Sequence, residues 1–270
     1  MQRIIVSISG GKDSTAMLLK ALEEYPKPLI TPVFCDTGWE HPAVYEYLDY
    51  LEKTLDIKIT KIKSDKYPGG MIDLIKKKRF IPNSNPIYRY CSYELKKVPM
   101  WNFLKNLSPV SAQVWIGVRT EESNSRAKKY ADILPEEIFS YRELHPNAPK
   151  ACEIHFERYP IINWDIKDVL NIFKKHGIDI NPLYYQGFNR VGCFPCIISS
   201  LKNWKAVYRT EIGKRNIEKL IEIERELCES GCNASLKPGK RGNDILPYLQ
   251  SFEQEPPLFE EEITCSFCAE

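Results

Sequence analysis

The 270-residue chain reads as an α/β protein, with a parallel β-sheet covered by helices on both faces and a smaller helical C-terminal region carrying cysteines. Three observations predict this. A β-branched apolar run near the amino terminus ends in two glycines and passes straight into a helix. Apolar runs and helix-spaced segments then alternate as β-α-β-α-β, a pattern that right-handed crossovers fold into a parallel sheet. Beyond residue 200, a long amphipathic run at helical spacing takes over.

Residues 3–9 form the first predicted strand, and 13–24 the first helix, with Ala16, Met17, Leu19 and Leu22 facing inward. A second strand over 29–35 ends at Asp36-Thr37-Gly38. Val44, Tyr47, Leu48, Leu51 and Leu55 then recur at helical spacing, and 57–62 supplies a third strand. Residues 64–90 carry Pro, Asn and Gly around a short basic helix near 71–79. Its run Lys76-Lys77-Lys78-Arg79 reads as a solvated face, with a nucleic-acid contact as the alternative. A later strand over 112–117 leads into the polar stretch 119–126, and 127–160 is loop-rich. Helices follow over 165–175, ending near Gly177, and over 204–228, before a Pro- and Glu-rich tail from about 230. The chain thus divides into an α/β unit, 1–200, and a helical region, 201–270.

Composition narrows the class. A hydrophobic fraction of 43% with 27% charged residues fits a soluble globular protein, and no apolar run reaches membrane-span length. The first segment is too short and too soon glycine-rich for a signal peptide, so a cytoplasmic location without a membrane partner is expected. Net charge of +2 argues neither for nor against nucleic acid. Nine cysteines, an odd number in a reducing compartment, do not make a disulfide framework. Two pairs, Cys193-Phe-Pro-Cys196 and Cys265-Ser-Phe-Cys268, point instead to a metal or an iron–sulfur cluster.

Strand, Ser9-Gly10-Gly11-Lys12-Asp13-Ser14, helix is a phosphate-binding arrangement. The glycines let backbone N–H groups turn toward an anion, and the helix N-terminus adds partial positive charge. Lys12 supplies a full charge, and Ser9 and Ser14 add hydroxyls. Asp13 fits either a helix cap or a ligand of phosphate-bound Mg2+. Asp follows Lys12 and no glycine lies five residues before Gly11, so this is not a Walker A loop.

The loop resembles the pyrophosphate loop of the adenine nucleotide α-hydrolase-like superfamily, the N-type ATP pyrophosphatases. Four further motifs, in order, resemble its phosphoadenosine-phosphosulfate-reductase branch. They are Phe34-Cys-Asp36-Thr37-Gly38-Trp-Glu40-His-Pro42; Gly117-Val-Arg119-Thr-Glu-Glu-Ser123-Asn-Ser-Arg126; Tyr159-Pro-Ile-Ile-Asn-Trp164 with Asp168, Asn181 and Tyr184; and Gly192-Cys193-Phe-Pro-Cys196. The resemblance covers residues 3–200 and implies a flavodoxin-like sheet with ATP at the carboxyl ends of its strands. It implies that Asp36 and Gly38 lie near ribose or adenine, and that Arg119 and Arg126 reach phosphates or a second anion. Surface ion pairs are the plainer reading of both arginines.

In the cluster-bearing members of this branch, a Cys-Cys pair and a later Cys-x-x-Cys pair hold a [4Fe-4S] cluster. The segment Arg89-Tyr90-Cys91 through Pro99 resembles the first pair's surroundings, but Tyr90 stands where one cysteine is expected. Cys91, Cys193 and Cys196 therefore match, with Cys268 or Cys265 as candidate fourth ligand or an open iron site instead. A four-thiolate zinc site pairing Cys193 and Cys196 with the tail cysteines is the rival reading. Cys35 reads as core, Cys152, Cys228 and Cys232 show no partner pattern, and His41 fits a helix start as well as a functional role.

The resemblance allows two chemistries. Cleaving ATP to AMP and pyrophosphate needs the lysine and full donor set of the loop, which this chain keeps. Sulfonucleotide reduction uses a C-terminal Glu-Cys-Gly-Leu-His motif, which this chain lacks. The favoured expectation is ATP cleavage with Lys12, Asp13 and Arg119 in catalysis, adenylating an acceptor for sulfur transfer. It implies a sulfur donor or reductant protein and leaves tRNA or DNA open as acceptor. Reduction of adenylyl sulfates, and a non-catalytic nucleotide-binding subunit, are the alternatives.

Overall fold

A computed structural model of the chain describes residues 2–237 and 242–251. Six strands form one sheet in the order β3-β2-β1-β4-β6-β5: β1 (Arg3–Ile8), β2 (Ile30–Cys35), β3 (Thr60–Ile62), β4 (Ala112–Ile116), β5 (Ile138–Ser140) and β6 (Phe156–Arg158). Every pairing is parallel except β5 against β6. Strand order reverses between β1 and β4, because the chain builds outward from β1 to β3 and then returns to β4. That reversal opens a crevice at the carboxyl ends of β1 and β4, the general ligand position of such sheets.

Alternation along the strands splits the interior in two. Ile4, Val6 and Ile8 of β1 face a core with Met17 and Leu18 of α1 (Lys12–Glu24) and Leu48 and Leu51 of α2 (Pro42–Leu55). Ile5, Val33 and Val114 face the other way. α3 (Gly70–Lys78) follows β3, and a helical stretch then runs from α4 (Tyr90–Ser92) through five π-helical residues, Tyr93–Lys97, into α5 (Val98–Leu107). Met100, Trp101 and Leu104 of α5 cover the second face. α6 (Asn124–Lys129) and α7 (Tyr141–Leu144) are short. α8 (Ile166–His176) begins at a reciprocal capping box between Asp165 and Asp168 and ends at left-handed Gly177, as its sequence predicts.

The structure differs from expectation in three places. The predicted helix over 204–228 is two, α9 (Leu201–Tyr208) and α10 (Glu211–Glu229), because the Thr210 side chain accepts the Gly213 N–H at 3.0 Å and starts a new helix. Strands β5 and β6 lie within the loop-rich stretch 127–160, and α11 (Gly242–Gln250) lies in the predicted irregular tail. Among the described residues the C-terminal helices share the sheet's core: Trp204, Leu220 and Ile245 belong to the same apolar cluster as β1.

Two buried features lead to expected outcomes. Gly70 has φ +67°, and a Cβ there would stand 2.2 Å from the Thr37 carbonyl oxygen, which accepts the Met71 N–H. Gly70→Ala therefore combines left-handed strain with a backbone clash, and should destabilise the fold by about 3 kcal/mol in urea titration. His155 is fully buried, its Nδ1 accepting the Ala112 N–H at 3.1 Å and its Nε2 within 3.0 Å of the Leu104 oxygen. Burial depresses its pKa, outweighing the Leu104 contact. The folded state thus binds fewer protons than the unfolded one, so this contribution is complete above about pH 6.5 and is lost as pH falls below it. Unfolding at pH 7.5 and 5.5 should show the loss, and His155→Asn should diminish it.

Candidate functional site

The phosphate loop sits at the strand reversal. Gly11 is the N-cap of α1 and receives no side-chain cap. Asp13, rather than capping, lies in the first helical turn. The Ser14 hydroxyl donates to the Gly11 oxygen at 3.0 Å and accepts the Ser9 N–H at 3.0 Å, closing the turn on itself. Ser9 and Ser14 hydroxyls are 3.0 Å apart. Gly10 is left-handed at φ +73°, and a Cβ there would touch Val44 at 3.0 Å. From the far side, Asn181 donates to the Gly10 oxygen and the Tyr184 hydroxyl accepts the Lys12 N–H, both at 3.0 Å. The Lys12 ammonium stands 5.0 Å over the Tyr184 ring and 3.5 Å from Asp13.

The two arginines differ. Arg119 is buried and binds Asp13, Glu121 and the Trp164 carbonyl, so in this structure it clamps the loop to the end of β4. Burial alone would lower its pKa, but the Asp13 and Glu121 carboxylates raise it, keeping the charge in place. Arg126 pairs with Glu122, and its pKa is lowered first by burial and then by the nearby Arg190. The two guanidiniums thus lie near enough to repel each other.

Asp36 turns into its own loop, accepting from Gly38 N–H and the Tyr45 hydroxyl, each at 2.8 Å, and pairing with Lys63 at 3.0 Å. Burial pushes its pKa up, but these donors outweigh it and hold the carboxyl below the usual range. Glu40 is the counterpart: burial raises its pKa although Thr37 and Trp39 donate to it. His41 caps α2 through a ring nitrogen that accepts the Ala43 N–H at 3.1 Å.

The Asp36–Glu40 loop also anchors the cysteine hairpin. Phe194 N–H donates to the Trp39 oxygen at 2.7 Å, the Trp39 indole to the Pro195 oxygen at 3.1 Å, and Glu40 and Cys193 form a β-bridge. Trp204 of α9 donates to the Cys196 oxygen at 3.0 Å and Asn216 of α10 to the Phe194 oxygen at 2.7 Å. Cys91, Cys193 and Cys196 line one cavity of about 130 Å³ with Arg89, Lys96 and Arg190. Burial pushes the Cys193 thiol up to about 11, against the pull of Lys96. The three cysteines read as ligands thus line one cavity, but among the described residues no three His, Cys, Asp or Glu side chains are grouped closely enough to hold a metal ion. Cys265 and Cys268 lie outside the described residues.

A larger cleft of about 650 Å³ opens at the carboxyl ends of β1, β2 and β4, lined by Ser9, Cys35, Glu40, Lys96, Tyr141 and Gly192 among others. Lys96 and Gly192 wall both this cleft and the cysteine cavity. Lys96 reaches solvent through the cleft yet is surrounded by protein, and the Cys193 sulfur is the main influence raising its pKa. Sequence reasoning assigned no role to Lys96, Arg190, Asn181 or Tyr184. Asn181 and Tyr184 stand in a quoted motif and Lys96 in the Cys91 segment, but none shows in sequence which way its side chain faces.

Fold and loop together define an α/β protein with a phosphate-loop site at its strand reversal. The phosphoadenosine phosphosulfate reductase domain matches residues 3–199, and the chain belongs to that family. An uncharacterized 37.8 kDa protein of Escherichia phage 186 is 35% identical over 240 residues, covering 72% of this chain and 66% of the phage protein. This chain thus spans just under two thirds of that relative. A phosphoadenosine 5′-phosphosulfate reductase of Photorhabdus laumondii subsp. laumondii is 28% identical over 190 residues, covering 70% of this chain and 68% of its own. The solved phosphoadenylyl-sulfate reductase from Candida auris, a phosphate complex, covers 72% of this chain and 83% of its own with a TM-score of 0.49 and 14% identity. Among the described residues no helix is long and apolar enough to cross a membrane.

Proposed function

We propose that this chain cleaves ATP to AMP and pyrophosphate, adenylating an acceptor whose activated position then takes sulfur. One observation carries the reading: the cleft lined by Ser9, where the phosphate loop begins, and the cavity of three thiols share the walls Lys96 and Gly192. A nucleotide in the cleft would therefore face the cysteine hairpin directly.

In this reading Ser9, Gly10, Gly11, Lys12 and Ser14 bind the β- and γ-phosphates, with Asp13 the contact for phosphate-bound Mg2+. Lys12 meets charge developing on the pyrophosphate as the α-phosphorus is attacked by an acceptor oxygen. Arg119 holds Asp13 in place, Arg126 faces the phosphates, and Asp36 and Gly38 shape the nucleoside end. The acceptor-oxygen–phosphorus bond forms as the α–β bridge breaks; a sulfur nucleophile then displaces AMP and takes the acceptor carbon. Cys91, Cys193 and Cys196, with Cys268 as candidate fourth ligand, would hold an iron–sulfur cluster, which supplies an iron site able to carry sulfide.

The second reading, reduction of adenylyl sulfate or its 3′-phosphate to sulfite, is favoured by the family and by relatives named as such reductases. A direct comparison separates them. With ATP, Mg2+ and acceptor, the products should be AMP and pyrophosphate. Robust sulfite release from either adenylyl sulfate with a thiol and without ATP would establish the reductase instead.

A further inference from the structure

The Cys193–Cys196 hairpin separates two cavities, and among the described residues both are lined by cations and by no carboxylate. The first holds Arg89, Lys96 and Arg190 beside the three thiols. The second, about 60 Å³ between hairpin and α9, holds Arg190 and Lys202. Lys205 and Arg209 line it as well and are engaged by neighbours. In a chain with 38 basic and 36 acidic residues, a one-sided lining on both flanks of a hairpin is not average surface.

The contrast with the most basic run in the sequence is instructive. Lys76 pairs with Glu226, Lys77 with Asp73 and Lys78 with Glu94, while Arg79 donates to the Ser230 carbonyl. That run is spent within the fold. Arg89, Arg190 and Lys202 are equally exposed but line the two cavities beside the hairpin instead. Two exposed rings stand near them in sequence: Tyr88, next to Arg89, is 46% exposed with one side against Phe80, and Tyr185, five residues before Arg190, is 59% exposed.

We infer that the acceptor is a single-stranded nucleic acid whose phosphates cross this rim at Arg89, Arg190 and Lys202, with bases stacking on Tyr88 and Tyr185. The inference rests on the adenylation reading above, since it brings an acceptor base to the hairpin. One small anion cannot occupy both cavities with the hairpin between them, whereas a strand with regularly spaced phosphates can follow the rim. Exposed rings flanked by cations suit unpaired bases, whose faces are available for stacking. An acidic protein partner would need the charge but not the rings.

The test uses the full chain and fluorescently labelled single-stranded RNA and DNA 20-mers, titrated by anisotropy from low to moderate salt. Affinity should fall linearly on logarithmic axes. The double variant Arg190→Ala/Lys202→Ala should weaken binding about tenfold and flatten the salt slope by about 1.4, two phosphate contacts of roughly 0.7 each. Tyr185→Ala should weaken binding with the slope unchanged. The RNA and DNA arms identify which strand is preferred. ATP binding should be unchanged in Lys202→Ala. If the chain binds ATP and forms AMP but binds neither oligonucleotide, this inference fails and the proposed function stands. Failure to bind ATP would overturn the proposed function. Oligonucleotide binding equally tight in the double variant, or binding of polyglutamate in preference to both strands, would also overturn the inference.

Discussion

Replacing Lys12 with alanine is expected to slow the conversion of ATP to AMP and pyrophosphate by about 10²–10³-fold, the size of effect seen when one preorganised oxyanion donor is removed. The expectation follows from where its charge is held. The ammonium stands at the mouth of the loop, 5.0 Å over the Tyr184 ring and 3.5 Å from Asp13, so two neighbours fix its position before a substrate arrives. A charge fixed in advance acts most where negative charge grows, on the departing pyrophosphate, and the loss should fall mainly on kcat rather than KM. Folding should be little changed. The side chain contributes one ion pair to Asp13, and that carboxylate keeps Arg119 as its partner when Lys12 is removed. The loop's own closure runs through Ser9, Ser14, Asn181 and Tyr184 and does not need it. Product analysis by chromatography, with the melting temperature measured alongside, checks both halves. ADP and phosphate as products, or full activity in the variant, would remove the pyrophosphatase reading.

The same loop shows what sequence can and cannot convey. Strands β1, β2 and β4 and helices α1, α2 and α8 were legible because each is long enough for periodicity to emerge, and because caps such as Asp165 and Gly177 punctuate them. Strands β5 and β6, three residues each, offer no alternation to read; only pairing at the sheet's edge makes them strands. The break between α9 and α10 was hidden because apolar residues continue at helical spacing through Thr210, whose side-chain cap decides the matter. At the site, residue types in motifs named the loop and three cysteines. Partnership was not legible. Nothing in the order of residues says that Arg119 spends its guanidinium on Asp13, or that Asp36 folds back onto Gly38 and Tyr45. Arg190 lies two residues before Gly192, just outside a quoted motif, yet it lines both cavities of the hairpin.

Serine in place of Cys193 or Cys196 should abolish the visible absorbance of anaerobically purified protein and most of its iron, about four atoms per chain if the centre is a cubane. The change removes one sulfur while leaving the hairpin's supports. Those supports involve neither sulfur: Phe194 N–H to the Trp39 oxygen, the Trp39 indole to Pro195, the Trp204 indole to Cys196, and the Asn216 side-chain amide to Phe194. The Cys193 sulfur itself stands 3.6 Å from the Thr37 hydroxyl, a contact that a serine oxygen can approach. A soluble, cooperatively folding but colourless variant is therefore the expected result, and Cys228→Ser, away from the cavity, should stay coloured. Removing residues 264–270 then identifies the fourth ligand. Lost iron assigns Cys268 or Cys265 to the centre, while unchanged iron and melting temperature leave three cysteines and an open position. Colourless parent protein carrying one equivalent of zinc, lost on that truncation, would instead place a four-thiolate zinc site where the cluster is expected. The sulfur-transfer half of the proposed function would then need another carrier, whereas ATP cleavage rests on the phosphate loop itself, whose closure through Ser9, Ser14, Asn181 and Tyr184 uses no cysteine.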